Sequence, residues 1–344
     1  GSTLHVSPEG LSDAKGTLDS PLDLSTAVDL LPPGGKIILA AGDYPQTVIL
    51  LQASGLREKV KTLQADDKAV IHGLLLDASY WHIKGISITD KSLRIQGSHN
   101  LIENVTAYKN EDTGIQISSP DKTDRPLWAS YNRVVNSESY GNEDPGKINA
   151  DGFAVKMRVG EGNRLEGCYS HDNIDDGFDL FNKIEDGANG VVVIENSIAR
   201  NNTSNGFKLG GEGQPVAHEI RNSIAIGNHL DGFTDNFNPG KLVVVNNVAV
   251  DNQRFNYLFR PSPYGKPETQ GNFSDNLSLR SQPGKYDDAV VGNIEDNYFI
   301  RGGKSVNAEG KTILSTDYQT LALPDPLLRH ADGSFATGDF LNRR

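Results

Sequence analysis

The residues ADGFAVK at 150–156, DDGFDLF at 175–181 and SNGFKLG at 204–210 are three versions of one phrase. Their triplets start at Asp151, Asp176 and Asn205, and units of the same rhythm lie on either side. Asn104, Asn136, Gly167, Asn196, Asn222 and Asn246 mark one position of the unit. Six residues later stand Asn110, Asn142, Asn173, Asn202, Asn228 and Asn252, without exception. Ten residues after the first position come Gly114, Gly177, Gly206, Gly232 and Asn256. Gly152 arrives six residues late, which places an insertion near 143–149. Ile115, Phe153, Phe178, Phe207, Phe233 and Tyr257 then share one position.

Repeats of roughly 24 to 30 residues, with short β-branched strands and no helices between them, predict an all-β, right-handed parallel β-helix. Equivalent residues of successive coils should stack about 4.8 Å apart. The column from Asn110 to Asn252 is then a buried amide ladder, and the aromatic column a stack in the core. An antiparallel sandwich gives no reason for the constant spacing. The expected plan is one domain of roughly eight to ten coils over 70–282, an N-terminal cap over 3–50 and an irregular C-terminal cover over 283–344. In the cap, Leu24, Ala27, Val28 and Leu31 carry helical spacing, and Pro32-Pro33-Gly34-Gly35 ends that helix.

The 344 residues would ordinarily suggest two domains, but solenoids lengthen without dividing. A net charge of −12 argues against nucleic acid as a partner, and no run is long and apolar enough for a membrane span. The same charge obstructs an acidic ligand unless a divalent cation intervenes. The single Cys168 excludes a disulfide framework and reads as a small buried side chain. Gly1-Ser2 reads as a cloning remnant, so the missing signal peptide says nothing of the natural compartment. Insertions at 119–131, 183–190, 210–218 and 261–271 all leave the unit after the G-F strand and would wall a groove, with Trp128 and Tyr264 available to sugar rings.

Side chains alternate along a strand. With the phenylalanines inward, Ala154, Asp179 and Lys208 point out, one above another; two positions on lie Lys156, Phe181, Gly210, Asn236 and Arg260. Asp151 and Asp176 stack in adjacent coils with Asp175 beside them. Four carboxylates, Asp151, Asp175, Asp176 and Asp179, should therefore converge on one outer face and suit Ca²⁺. Taken singly, each Asp-Gly is a common turn dipeptide. Lys208 alone would be a surface lysine paired with Asp179; beside a cation it suits removal of a proton α to a carboxylate.

These motifs, in this order over roughly residues 101–260, resemble polysaccharide lyase family nine. The resemblance implies calcium on Asp151, Asp175, Asp176 and Asp179, and Lys208 as the base that starts β-elimination in a galacturonate-containing plant cell-wall polysaccharide. It leaves pectate and rhamnogalacturonan, and endo and exo action, open. Lys156, Arg260 and Asn236 are expected to bind substrate, and the protein to act as a secreted, periplasmic or cell-surface monomer. A β-helical glycoside hydrolase and a non-catalytic glycan-binding solenoid are the competing readings.

Overall fold

The computed structural model describes residues 2–260 and 270–344. Three parallel sheets of eleven, ten and nine strands run the length of the molecule, and each coil adds one strand to each. The first sheet extends from Thr3–Val6 to Gly271–Ser274, the second from Gly42–Tyr44 to Leu277–Leu279, and the third from Ile49–Leu51 to Tyr257–Leu258. This is a parallel β-helix. Its coils begin earlier than residue 70: Lys36–Leu39, Gly42–Tyr44 and Ile49–Leu51 form a coil inside the stretch read as cap. Ile37, Leu39, Tyr44, Ile49 and Leu51 face inward there. That coil lacks the asparagine punctuation of the later ones, so spacing alone does not find it. The helix Leu24–Leu30 forms as expected, with the Thr26 amide donating to the Asp23 carboxylate and Leu24 and Ala27 buried.

Register alignment makes the core repetitive. Phe153, Phe178, Phe207, Phe233 and Tyr257 pair in sequence across the third sheet, with ring centroids 5.1, 4.6, 4.9 and 5.1 Å apart. At the turn before them, each asparagine Nδ2 from Asn110 to Asn228 donates to Oδ1 of the next, at 2.8–2.9 Å. A buried amide without a partner would cost about 1–3 kcal/mol, and the ladder removes that cost at every rung. Two further columns line other corners of the coils. Asn100, Asn132 and Asn163 bond in series at one corner. Ser137, Cys168, Ser197, Ser223, Asn247, Asn276 and Asn297 form another, with the Cys168 amide donating to Ser197 Oγ at 3.1 Å. Cys168 is buried there, and burial pushes its thiol up to about 12.

The last sixty residues do more than cover an end. Tyr318, Leu323 and Phe340 pack on Tyr169, Ile198, Ile226 and Val250 along the flank of the second sheet. Arg200 Nη1 donates to the Pro324 carbonyl and Arg329 Nη1 to the Gly167 carbonyl, both at 2.7 Å. Trp128 is buried, its indole donates to the Thr123 carbonyl, and the Arg125 guanidinium lies 4.1 Å over its ring. It fixes its own loop and does not offer a face to a sugar. Tyr264 and most of the 261–271 insertion lie outside the described residues.

Candidate metal and catalytic site

The outer face of the third sheet carries the expected column: Ala154 pairs with Asp179, and Asp179 with Lys208. One turn earlier runs a second column whose logic is a shared hydrogen bond. The Asp151 amide donates to Thr113 Oγ1, Asp176 to Asp151 Oδ1 and Asn205 to Asp176 Oδ1. The Asp231 amide donates to Asn205 Oδ1, and Phe255 to Asp231 Oδ1. Each side chain spends Oδ1 on the coil above, which leaves Oδ2 of the aspartates to face outward. The glycine that follows permits this stacking: a Cβ on Gly152 would lie 1.8 Å from Ser170 Oγ. At Asp231 the second oxygen is taken by Arg254 Nη2 at 2.7 Å. At Asp151 and Asp176 it turns toward Asp179, and oxygens of all three carboxylates lie within 4.8 Å of one another.

Two expectations about this cluster change. Asp151, Asp176 and Asp179 are 0, 0 and 2% exposed, so the acids are buried under their neighbours and are not a solvated face. Alternation tells which side of a sheet a residue takes, not how deeply it is covered. Asp175 is half-buried and stands outside the group of three; burial and then Asp176 push its carboxyl up to about 7.

Both lysines close over the acids. Lys156 Nζ lies 2.8 Å from Asp179 Oδ2 and 3.2 Å from Asp151 Oδ2. Lys208 Nζ lies 3.0 Å from Asp176 Oδ2 and 3.6 Å from Asp179 Oδ1, so its nearer partner is Asp176 rather than Asp179. Burial would discharge the amines, but Asp179 first, then Asp151 for Lys156 and Asp176 for Lys208, outweigh it and hold both protonated. Burial also pushes the Asp151 and Asp176 carboxyls up. It acts on Asp179 too, but there the two lysines prevail and hold the carboxyl well below the usual range.

A hard cation fits this donor set. Asp176 Oδ2 is buried and accepts no properly angled hydrogen bond, although Lys208 Nζ is near. Three carboxylates face two ammonium groups, and an ion that prefers oxygen ligands would meet Asp151, Asp176 and Asp179 at once. Asp144, which the sequence reading passed over, supports the arrangement from the 143–149 insertion. Its Oδ1 accepts from the amides of Ile148, Asn149 and Ala150 at 3.1, 2.8 and 2.9 Å and so fixes the approach to Asp151. An acid opening an inserted loop was the available signal.

The residues expected to bind substrate are placed differently from one another. Lys156 caps the acid cluster, paired with Asp151 and Asp179, rather than flanking it. Asn236 Nδ2 donates to the Gly210 carbonyl at 2.8 Å and thereby holds a turn. Arg260 lies on the C-terminal side of the cluster with its guanidinium 3.9 Å over Phe237 and its amide on Asp235 Oδ2.

A parallel β-helix with a buried acid triad and two lysines on one outer face defines a class, and comparison with known proteins places the chain within it. Residues 4–272 match the family described as Pel9A-like, right handed beta helix region, and the chain belongs to that family. It is 64% identical over 300 residues to a pectate disaccharide-lyase of Dickeya chrysanthemi, covering 87% of this chain and 40% of that protein. It is 35% identical to a pectate lyase L of Paenibacillus polymyxa, covering 98% of this chain and 80% of that one. The crystal structure of pectate lyase Pel9A superposes with a TM-score of 0.79 at 28% identity, over all of this chain and 89% of that chain. The chain thus spans less than half the length of the first of these relatives. Among the described residues no helix is long and apolar enough to cross a membrane.

Proposed function

We propose that this chain is a calcium-dependent lyase that cleaves galacturonate-containing pectic polymers by β-elimination. The observation that carries the reading is the buried triad Asp151, Asp176 and Asp179 with Lys208 Nζ 3.0 Å from Asp176. The names of relatives at 64% and 35% identity support pectate as the substrate. Calcium held by the triad would take charge from the uronate carboxylate and stabilise the carbanionic character that develops beside it.

The chain's own groups supply the rest. Lys208 accepts the C5 proton, the electron pair of that C–H bond becomes the C4–C5 double bond, and the C4–O bond breaks. The departing oxygen takes its electrons and, subsequently, a proton. While Asp176 and Asp179 carry unshared charge, Lys208 stays an ammonium and cannot accept a proton. Neutralising those carboxylates favours the free amine. Arg260, on the same flank, is suited to a second uronate carboxylate through its planar fork.

The test is ultraviolet absorbance of the unsaturated uronate on polygalacturonate and on rhamnogalacturonan-I, with calcium and with excess chelator. The expected result is absorbance on polygalacturonate that chelation abolishes and calcium restores. New reducing ends without absorbance would make the chain a hydrolase. Full turnover in chelator would remove calcium from the reading, and turnover of rhamnogalacturonan-I alone would reassign the substrate. Mass spectrometry of the products then separates endo from exo cleavage.

A further inference from the structure

We propose that Lys156 is the built-in counter-cation of the triad, holding Asp151 and Asp179 until a divalent ion displaces its ammonium outward; this rests on the metal reading above. Lys156 follows directly on the strand Phe153–Val155, and its side chain bends back over the acids. It reaches two carboxylates of two different coils, Asp151 Oδ2 at 3.2 Å and Asp179 Oδ2 at 2.8 Å. Those atoms belong to the same residues that, with Asp176, bring carboxylate oxygens within 4.8 Å of one another. Asp151 Oδ1 accepts from the Asp176 amide, so Oδ2 is the atom that Lys156 and an ion would share. An ion held by these carboxylates at about 2.3–2.6 Å would bring two positive charges within a few ångströms of the Lys156 ammonium, and that repulsion drives the ammonium outward.

Depth separates the lysine from its partners. The acids are at most 2% exposed, whereas the Lys156 side chain keeps 15%. The ammonium therefore sits at the mouth of the cluster, on its solvent side. Its presence answers a physical need. Buried aspartates without a cation would repel one another, and a tethered ammonium offsets part of that repulsion and keeps the ion-free site assembled. The same tether weakens calcium binding, because each loading event must break two ion pairs. Once displaced, the ammonium stands on the outer face, where a polyanionic substrate would meet it. Lys208 is not equivalent: it pairs chiefly with Asp176, one coil further on.

The test uses the whole chain and does not depend on turnover. Calorimetry first establishes the calcium concentration at which the ion is bound. Amine acylation read by peptide mass spectrometry then compares Lys156 with and without calcium. Acylation of Lys156 is expected to rise several-fold on loading. A second arm is Lys156→Met, expected to bind calcium about tenfold or more tightly and to melt earlier than the parent in chelator. Tighter binding alone would follow from removing any nearby positive charge, so the acylation decides. If calcium binds the parent and Lys156 stays as protected as before, the displacement is wrong while the metal reading stands. If calorimetry finds no calcium binding to the parent, the metal reading fails and takes this inference with it.

Discussion

At the scale of residues, the aspartates of this site have two duties divided between their two oxygens. Oδ1 of Asp151 serves the Asp176 amide, while Oδ2 belongs to the acid cluster. Replacement by asparagine should separate the duties, and replacement by alanine should remove both. Asp151→Asn is expected to keep the melting temperature near that of the parent and lose most calcium affinity in calorimetry. Asp151→Ala should lose calcium as well and also be destabilised by about 1–3 kcal/mol, because the buried Asp176 amide is left without an acceptor. A calcium affinity unchanged in Asp151→Asn would take this residue out of the metal site. The pairing of Asp151 with Asp176, and of Asp179 with Lys208, was legible because register in a β-helix follows directly from repeat spacing. What spacing could not convey is reach. Lys156 is assigned to an outward row by alternation, yet its long side chain folds back across a coil boundary to Asp179. Burial of the triad was hidden for the same reason, since lysines that cover acids leave no mark in a periodic pattern.

At the scale of elements, stability rests on columns rather than on individual strands, several of which are only two or three residues long. Asn202 accepts from Asn173 and donates to Asn228, both at 2.9 Å, and it is fully buried. Asn202→Ala should leave the buried Asn173 backbone N–H, which donates to Asn202 Oδ1, without an acceptor on one side and Asn228 Oδ1 a donor short on the other. The expected loss is about 2–4 kcal/mol, read as a lower midpoint in denaturant titration. The same change at exposed Glu185 should do almost nothing. The Asn110–Asn252 ladder announced itself because one residue type recurs at one interval. The column through Cys168 has no single residue type, since serine, cysteine and asparagine share it, and their equivalence lies in small size and hydrogen bonding rather than in name. The coil beginning at Lys36 was missed through the same dependence on punctuation: its inward leucines and isoleucines are regular, but its turns carry no asparagine.

At the scale of the whole molecule, the coils present their chemistry on the third sheet while the C-terminal segment seals the second. A buried histidine links this architecture to acid tolerance. His218 is enclosed after the 210–218 insertion, its Nδ1 accepts the Val192 amide at 2.9 Å, and burial lowers its pKa to about 3. An unfolded histidine titrates near 6.5, so between about 6.5 and 3 the unfolded chain binds the extra proton and the folded chain does not. The contribution is therefore present above about pH 6.5 and is lost as pH falls toward 3. Melting temperature should decline over that window, and His218→Gln, which cannot take up a proton, should flatten the decline. An identical acid slope in both proteins would assign it to other groups. On the proposed reading, this face joins a metal-binding triad to a lysine base. The most direct measurement is kcat for Lys208→Ala on polygalacturonate, followed by ultraviolet absorbance at alkaline pH with calcium saturating. The expected result is a loss of about three orders of magnitude or more, with calcium binding retained in calorimetry. Activity within about tenfold of the parent would contradict it, because another group would then be removing the proton.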